Sequence, residues 1–334
     1  MAENRKKSFR VLVLDDYERV AAQAPSFEKL KMRANVIVLT SRLVTDEDFA
    51  HALKDVDAVL LVRERTRFGE KQLSLAPSLK FISQIGQGIA HLDLGTATRR
   101  GIAVAGTPND SGISTIELTF GLILAVMRRI PQVDLGMHQG AWPGIPGRIL
   151  EGKTIGVVGL GRIGKEVARI ALAFRTRVLA SGKTLTEERA REAGAVRVSL
   201  DTLLRKSDVI TVHVRLSQET RGLIGEREIS LMKPGAILIN TARAPIVSES
   251  ALIRALETGR LGGAGLDVYN EEPLPANHPL RSFDNVVLLS HRGYAAVEVL
   301  RDRYEAAFAN ILSFLDGKPT NQLNPEVYHH SGGT

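Results

Sequence analysis

Thr154–Ile155–Gly156–Val157–Val158–Gly159–Leu160–Gly161–Arg162–Ile163–Gly164 is the stretch whose reading decides the fold. An apolar run of strand type leads into three glycines at GxGxxG spacing, and apolar positions at helical spacing follow over 163–174. In that setting each glycine has its own task. Gly159 permits a tight turn, Gly161 lets a pyrophosphate approach the backbone, and Gly164 lets helix and strand pack closely. The N–H groups of Arg162 and Ile163 then face an anion at the positive end of the helix dipole. The segment predicts a dinucleotide-binding strand–turn–helix. A rival pattern, Gly147 through Gly152, Lys153 and Thr154, spells a phosphate loop letter for letter. An irregular stretch precedes it and a strand follows, so it has no helix N-terminus to hold phosphate.

Working outward, strands are expected over 10–14, 34–40, 57–62, 79–85 and 102–105. Helices are expected at 46–53 and 69–75, the first capped by Thr45 with Asp48 at its third position. A long apolar helix over 114–129 follows, stopped by Pro131, and then a Gly- and Pro-rich loop over 136–147 that holds the single Trp142. Alternation resumes with strands over 154–158, 176–180, 196–198, 208–214, 236–240, 263–268 and 286–290. Helices are read at 163–174, 187–192, 200–205, 226–231, 249–257 and 296–315. Two such sets predict an α/β chain of two Rossmann-like domains with parallel sheets. The cleft between them is the natural place for a ligand. The tail from Tyr328 reads as polar and loose.

Composition narrows the function classes. At 334 residues the chain can form two domains with real cores, and with only 5% aromatics those cores must be built from Val, Ile, Leu and Ala. The absence of cysteine excludes a disulfide scaffold, a thiolate nucleophile and a cysteine-ligated metal, and it fits a reducing compartment. Residues 1–10 are polar and basic, without the apolar core of a signal peptide. The apolar run over 113–127 carries Glu117 and falls short of the roughly 20 residues of a membrane span. A cytoplasmic protein with no membrane partner is expected. The net charge of +7 would attract anions. No basic run is interleaved with aromatics, so no nucleic-acid partner is expected, and no histidine grouping suggests a metal.

An acidic residue about 20 positions beyond the glycine turn would bind the ribose 2′-OH of NAD. Ser181–Gly182–Lys183–Thr184 stands there, with no carboxylate before Glu187. A small residue, a lysine and two hydroxyls suit a 2′-phosphate, which favours NADP(H) while leaving NAD(H) possible. His213, at a strand end on the adenosine side, is a further candidate contact.

Hydride transfer to a ketone needs a proton donor at the carbonyl oxygen and a cation for the substrate carboxylate. Three strand ends offer such groups. Arg243 could grip a carboxylate bidentately. Glu272 lies in Glu271–Glu272–Pro273–Leu274–Pro275. His291 ends an apolar strand, where a neighbouring carboxylate would keep it charged as the acid. Taken singly, each is an ordinary loop arginine, exposed acid or packing histidine. Together they form an Arg–Glu–His set in one dinucleotide domain. His51, on a surface helix, and His329 and His330, in the tail, are poorer candidates.

With Gln84–Ile85–Gly86–Gln87–Gly88–Ile89–Ala90–His91–Leu92–Asp93, Ile116–Glu117, Trp142, Asn240–Thr241–Ala242–Arg243, the run from Gly265 to Leu274, and Ser290–His291–Arg292–Gly293, the chain resembles the D-isomer-specific 2-hydroxyacid dehydrogenases over nearly its whole length. The resemblance implies that Arg243, Glu272 and His291 are catalytic. It implies a discontinuous, flavodoxin-like substrate domain, 1–108 with 295–325, a cofactor domain inserted over 109–294, and a flexible tail over 326–334. Backbone amides about Gly86, Gln87 and Gly88, with Arg63 and Arg243, would hold substrate. Asp267 would lie near the nicotinamide amide, and Val214, Thr241, Ala242 and Gly293 would also line the cofactor. A homodimer is implied, through 114–129 and the Trp142 loop.

Four positions depart from the family pattern. Ala244 replaces a usual glycine and Ser290 a common proline, Tyr294 adds bulk, and Arg215 stands where proline is usual and could clamp a 2′-phosphate. Ser181–Gly182–Lys183 and the run from Glu272 to Pro279 resemble the NADPH-using glyoxylate/hydroxypyruvate reductases. Val62–Arg63–Glu64–Arg65–Thr66 resembles the anion-binding segment of phosphoglycerate dehydrogenases. The expected function is reduction of a small 2-keto acid to the D-2-hydroxy acid. The alternatives are oxidation of a phosphorylated 2-hydroxy acid, with Arg63 and Arg65 on the phosphate, and an NAD(P)-sensing interaction protein.

Overall fold

Most strands are short runs of branched and small apolar residues buried on both faces. That composition belongs to parallel sheets covered by helices on both sides. The computed structural model describes residues 8–108 and 112–329. The chain divides into two compact units, Met1–Asp110 with Ala296–Thr334, and Ser111–Ala295.

The first unit holds β1 (Arg10–Val13), β2 (Asn35–Val38), β3 (Ala58–Leu61), β4 (Phe81–Gln84) and β5 (Ala103–Gly106), all parallel, in the order β2-β1-β3-β4-β5. The last long helix, Val297–Leu315, belongs to this unit. Phe314 stacks on Phe81 at 4.6 Å, Ser83 donates to the Ala307 carbonyl at 2.9 Å, and the Tyr304 hydroxyl donates to Asp16 at 2.9 Å. The helix Asp46–Leu53 starts on a reciprocal cap between Thr45 and Asp48, which satisfies N–H groups that the first turn leaves open.

The second unit holds β6 (Thr154–Val158), β7 (Arg177–Ser181), β8 (Val196–Arg197), β9 (Val209–Val212), β10 (Ala236–Asn240), β11 (Leu261–Leu266) and β12 (Val286–Leu288). Their order is β12-β11-β10-β9-β6-β7-β8, so the winding reverses between β6 and β9. Alternate side chains feed separate cores: Ile155, Val157 and Ile237 one, Val158 and Leu238 the other.

Three expectations change. The apolar helix Ile113–Arg128 ends where Arg129 turns left-handed at φ 55°, and Pro131 sits in the first turn of a second helix, Ile130–His138. Proline lacks an N–H, which costs nothing in a first turn, so it opens a helix as readily as it stops one. The same reason explains the helix Pro25–Lys31, absent from the sequence reading. Glu326–His329 forms a helical turn where a loose tail is expected; 330–334 and the boundary residues 109–111 lie outside the described residues. Gly147 is a packing glycine, since a Cβ there would stand 2.8 Å from the Arg128 Cα. No described helix is long and apolar enough to cross a membrane.

Candidate active site

The glycine turn opens at the carboxyl end of β6, beside the point where the sheet reverses. Gly159 has φ 99°, and a Cβ on it would meet the Val214 nitrogen at 2.7 Å. Gly164 is closed more tightly, because a Cβ there would lie 2.1 Å from the Gly159 carbonyl oxygen. Around Gly161, by contrast, a Cβ would meet nothing within 4 Å. Two glycines are thus consumed by the protein's own packing and the third faces open space at the start of the helix Arg162–Ala173. That is a cradle for a pyrophosphate, and the residues present fit a dinucleotide. His213 lies beside it, its Nε2 2.8 Å from the Thr211 hydroxyl, and enclosure lowers its pKa to about 4. It is a neutral ring at working pH.

At the end of β7, Ser181 and Gly182 adjoin the glycine turn, since the Gly159 N–H donates to the Ser181 carbonyl at 2.8 Å. Lys183 is exposed and its Nζ pairs with Glu219 at 2.7 Å. The acid that sequence spacing places no nearer than Glu187 is therefore supplied from 36 residues downstream. Arg189 was not among the sequence candidates. Its guanidinium donates to the Thr184 carbonyl at 3.1 Å and weakly to that of Leu160 at 3.4 Å, so it ties the β7 loop to the glycine turn. Arg215 is exposed, and its carbonyl accepts from Thr220 at 2.6 Å.

Three strand ends of this unit converge. Glu272 Oε2 lies 2.7 Å from His291 Nδ1, and Glu272 Oε1 accepts the Tyr269 N–H at 3.0 Å. Burial would raise the Glu272 carboxyl, but its bonds to His291 and the Tyr269 N–H, with the charges of His291 and Arg243, hold it below the usual carboxylate range. A carboxylate bound to Nδ1 fixes the ring so that Nε2 is the outward nitrogen. His291 has φ 57°, a conformation that costs a non-glycine residue on the order of 1 kcal/mol and needs support. Asp267 provides it. Its two oxygens accept the N–H groups of Arg292 at 2.6 Å and Gly293 at 2.7 Å. The Gly293 carbonyl in turn accepts the hydroxyls of Ser114 and Thr115, at 2.8 and 2.7 Å. Burial raises the Asp267 pKa against the pull of those amides. Buried Asn240 bridges Ala242 and Arg243, accepting the Ala242 N–H at 3.0 Å and donating to the Arg243 carbonyl at 3.1 Å. Thr241 is pinned to Thr119 at 3.1 Å. The tight support under His291 and Arg243 comes from side chains scattered along the sequence, and Asp267 and Asn240 carry no local signal of it.

In the first unit, Gly86, Gln87 and Gly88 follow the carboxyl end of β4. The Gly86 N–H donates to the Thr107 hydroxyl at 2.8 Å. Among the described residues the backbone N–H groups of Gln87 and Gly88 have no protein acceptor. Arg63, left-handed at φ 56°, places Nη1 4.0 Å from where a Cβ on Gly86 would stand. Arg65 is corrected as a phosphate ligand. It is nearly buried and forks onto both Glu18 carboxylate oxygens at 2.7 and 2.9 Å, so its charge is already spent. No group of histidines and acids among the described residues could hold a metal.

Comparison with known proteins agrees with this geometry. The family model for the D-isomer specific 2-hydroxyacid dehydrogenase NAD-binding domain matches residues 120–293. A glyoxylate reductase of Aeropyrum pernix is 38% identical over 331 residues, covering 96% of this chain and 91% of that one. A D-3-phosphoglycerate dehydrogenase of Archaeoglobus fulgidus is 43% identical over 234 residues, covering 70% of this chain and 44% of that one. The crystal structure of a phosphoglycerate oxidoreductase from Vibrio cholerae superposes with a TM-score of 0.85 at 32% identity, covering 92% of this chain and 99% of that one.

Proposed function

The chain belongs to the D-isomer-specific 2-hydroxyacid dehydrogenase family of NAD(P)-dependent oxidoreductases, and from that premise we propose that it reduces a small 2-keto acid of the glyoxylate and hydroxypyruvate type to the D-2-hydroxy acid, with NADPH preferred. The observation that carries the reading is the 2.7 Å bond between His291 Nδ1 and Glu272, with Arg243 near enough for its charge to act on that carboxylate. A reduced dinucleotide held by its pyrophosphate at the glycine turn would supply the hydride for C2. His291 holds the proton on Nε2 and passes it to the keto oxygen. Glu272 stabilises the imidazolium, and Arg243 grips the substrate carboxylate and polarises the carbonyl beside it. Asp267 and Gly293 act through the backbone, keeping His291 aimed.

Preference for NADPH rests on the end of β7, where Ser181, Gly182, Lys183 and Thr184 offer hydroxyls and a cation. A 2′-phosphate would compete with Glu219 for Lys183, with Arg215 as a second cation. The N–H groups of Gln87 and Gly88, with Arg63, would receive the substrate carboxylate. A homodimer is part of the proposal. Ile130, Leu135, Met137, Trp142, Ile145 and Ile149 are exposed within one stretch, with Trp142 88% exposed, and such patches mark association surfaces.

The phosphoglycerate reading draws on the Archaeoglobus relative and on Arg63, but it loses Arg65 to Glu18. Following NADPH and NADH oxidation with glyoxylate, hydroxypyruvate and other 2-keto acids tests the proposal. Turnover with none of them, or undiminished turnover in His291→Ala, would overturn it.

A further inference from the structure

A cavity of about 380 Å³ opens in the first unit, on the segments that follow β2 and β3. The order β2-β1-β3 puts the reversal of winding between β1 and β3, and open parallel sheets take ligands at such reversals. Thr66, on the cavity wall, donates to Asp15, just beyond β1, at 2.7 Å. The rest of the wall is of two kinds. Leu43, Val44 and Phe49 are apolar. Arg42, Arg67 and Gln72 are polar, and the proposed keto-acid chemistry uses none of them.

The two guanidinium groups are unspent. Among the described residues neither Arg42 nor Arg67 has a hydrogen bond or an ion pair. Arg42 acts electrostatically on the Tyr17 phenol, whose pKa burial raises, so that group brings no negative charge. The lining itself contains no carboxylate. Asp15, behind Thr66, has its oxygens taken by the hydroxyls of Thr66 and Tyr17, at 2.7 and 2.8 Å. Asp48, one residue before Phe49, accepts the Thr45 N–H at 3.0 Å. Gln72 Oε1 accepts the Gly69 N–H at 3.1 Å. A backbone N–H can only donate, so the amide orientation is fixed, and the Gln72 amide NH2 group is left without an acceptor among the described residues.

These donors outnumber what one carboxylate can accept well. A phosphomonoester carries about 1.5–2 negative charges and three acceptor oxygens, which matches two guanidinium groups, whereas a single carboxylate would leave one of them unpaired. The apolar side of the wall suits a carbon body. Val44 is 80% exposed, and a ligand lying there would cover it.

We infer that this cavity is a binding site for a small phosphomonoester with an apolar body, with Arg42 and Arg67 on the phosphate and Leu43, Val44 and Phe49 on the body. The site belongs to the first unit, whereas the glycine turn, Arg243, Glu272 and His291 belong to the second. It stands whether or not the keto-acid reading does.

The test is calorimetric titration of the full chain in excess NADPH, which occupies the glycine turn, with phenyl phosphate and glycerol phosphate as probes. Phenyl phosphate should bind saturably, about tenfold more tightly than glycerol phosphate. The double variant Arg42→Gln/Arg67→Gln should weaken it by about tenfold or more, with thermal unfolding and NADPH affinity unchanged. Val44→Ser, at an exposed position, should narrow the gap between the probes without weakening glycerol phosphate. Phenyl phosphate binding that the double variant leaves intact overturns the site, as does equal affinity for the two probes in the wild type, or the absence of saturable binding. If the double variant melts early, Val44→Ser decides, and an unchanged gap between the probes overturns the site.

Discussion

Replacing Glu272 with glutamine removes a charge while keeping an acceptor for His291 Nδ1, so it isolates the electrostatic part of the dyad. At the observed 2.7 Å, Coulomb's law gives about 1.5 kcal/mol in bulk water and about 6 kcal/mol at an effective dielectric near 20. The His291 and Glu272 side chains are 26% and 37% exposed, which places the interaction toward the watery limit. A working range is about 1.5–3 kcal/mol, or about 10–100-fold in rate. Keto-acid reduction needs that ring to deliver a proton. In Glu272→Gln the carboxylate charge that holds and orients the proton donor is gone, so kcat/KM should fall by about 10–100-fold while NADPH binding stays unchanged. The assay is steady-state NADPH oxidation with a saturable 2-keto acid, with thermal unfolding recorded for both proteins. A loss below about threefold would refute the reasoning and reduce Glu272 to a geometric prop.

Two further outcomes are expected. Gly161→Ala should melt as the wild type does yet bind NADPH at least tenfold more weakly, because its methyl enters open space in the cradle. Gly164→Ala should lose about 1–3 kcal/mol of stability by denaturant titration, because its methyl would lie 2.1 Å from the Gly159 oxygen. Reversed behaviour of the pair would undo the assignment of the cradle. His213 has a folded pKa of about 4 against an ordinary 6.5. The unfolded chain therefore binds more protons between those values, and stability present above pH 6.5 is lost as the pH falls toward 4. That loss should reach about 3 kcal/mol at most and should be reduced in His213→Gln, as read from denaturation midpoints across the window.

Much of this molecule can be read one segment at a time. Strand and helix periods set the two alternating α/β sets. Thr45 and Asp48 announce a cap, and the glycine spacing after an apolar strand announces the cradle. All of these depend on residues within a turn or two of one another, where backbone geometry is decided by neighbours. Arg243, Glu272 and His291 stand out as candidates for a related reason: each follows an apolar run at the edge where parallel strands deliver their side chains. Pro131 shows the limit of local reading, since the same missing N–H ends one helix and begins the next.

Tertiary structure decided which charged and polar groups are free to act. Arg65 looks like a phosphate ligand until Glu18, 47 residues earlier, occupies its fork. The Gly86 N–H looks available until Thr107 takes it. Lys183 seems to lack an acid until Glu219 arrives from another loop. Asp267 becomes the support of the His291 turn only when β11 and β12 lie side by side. The physical reason is the same in each case. A charge or a donor is defined by its partner, and partners tens of residues apart meet only when the sheets are assembled. The sequence by itself determined the sheet architecture, the cradle and the three candidate catalytic groups. The folded chain determined which charged and polar groups are already partnered, because those partners meet only in the assembled sheets.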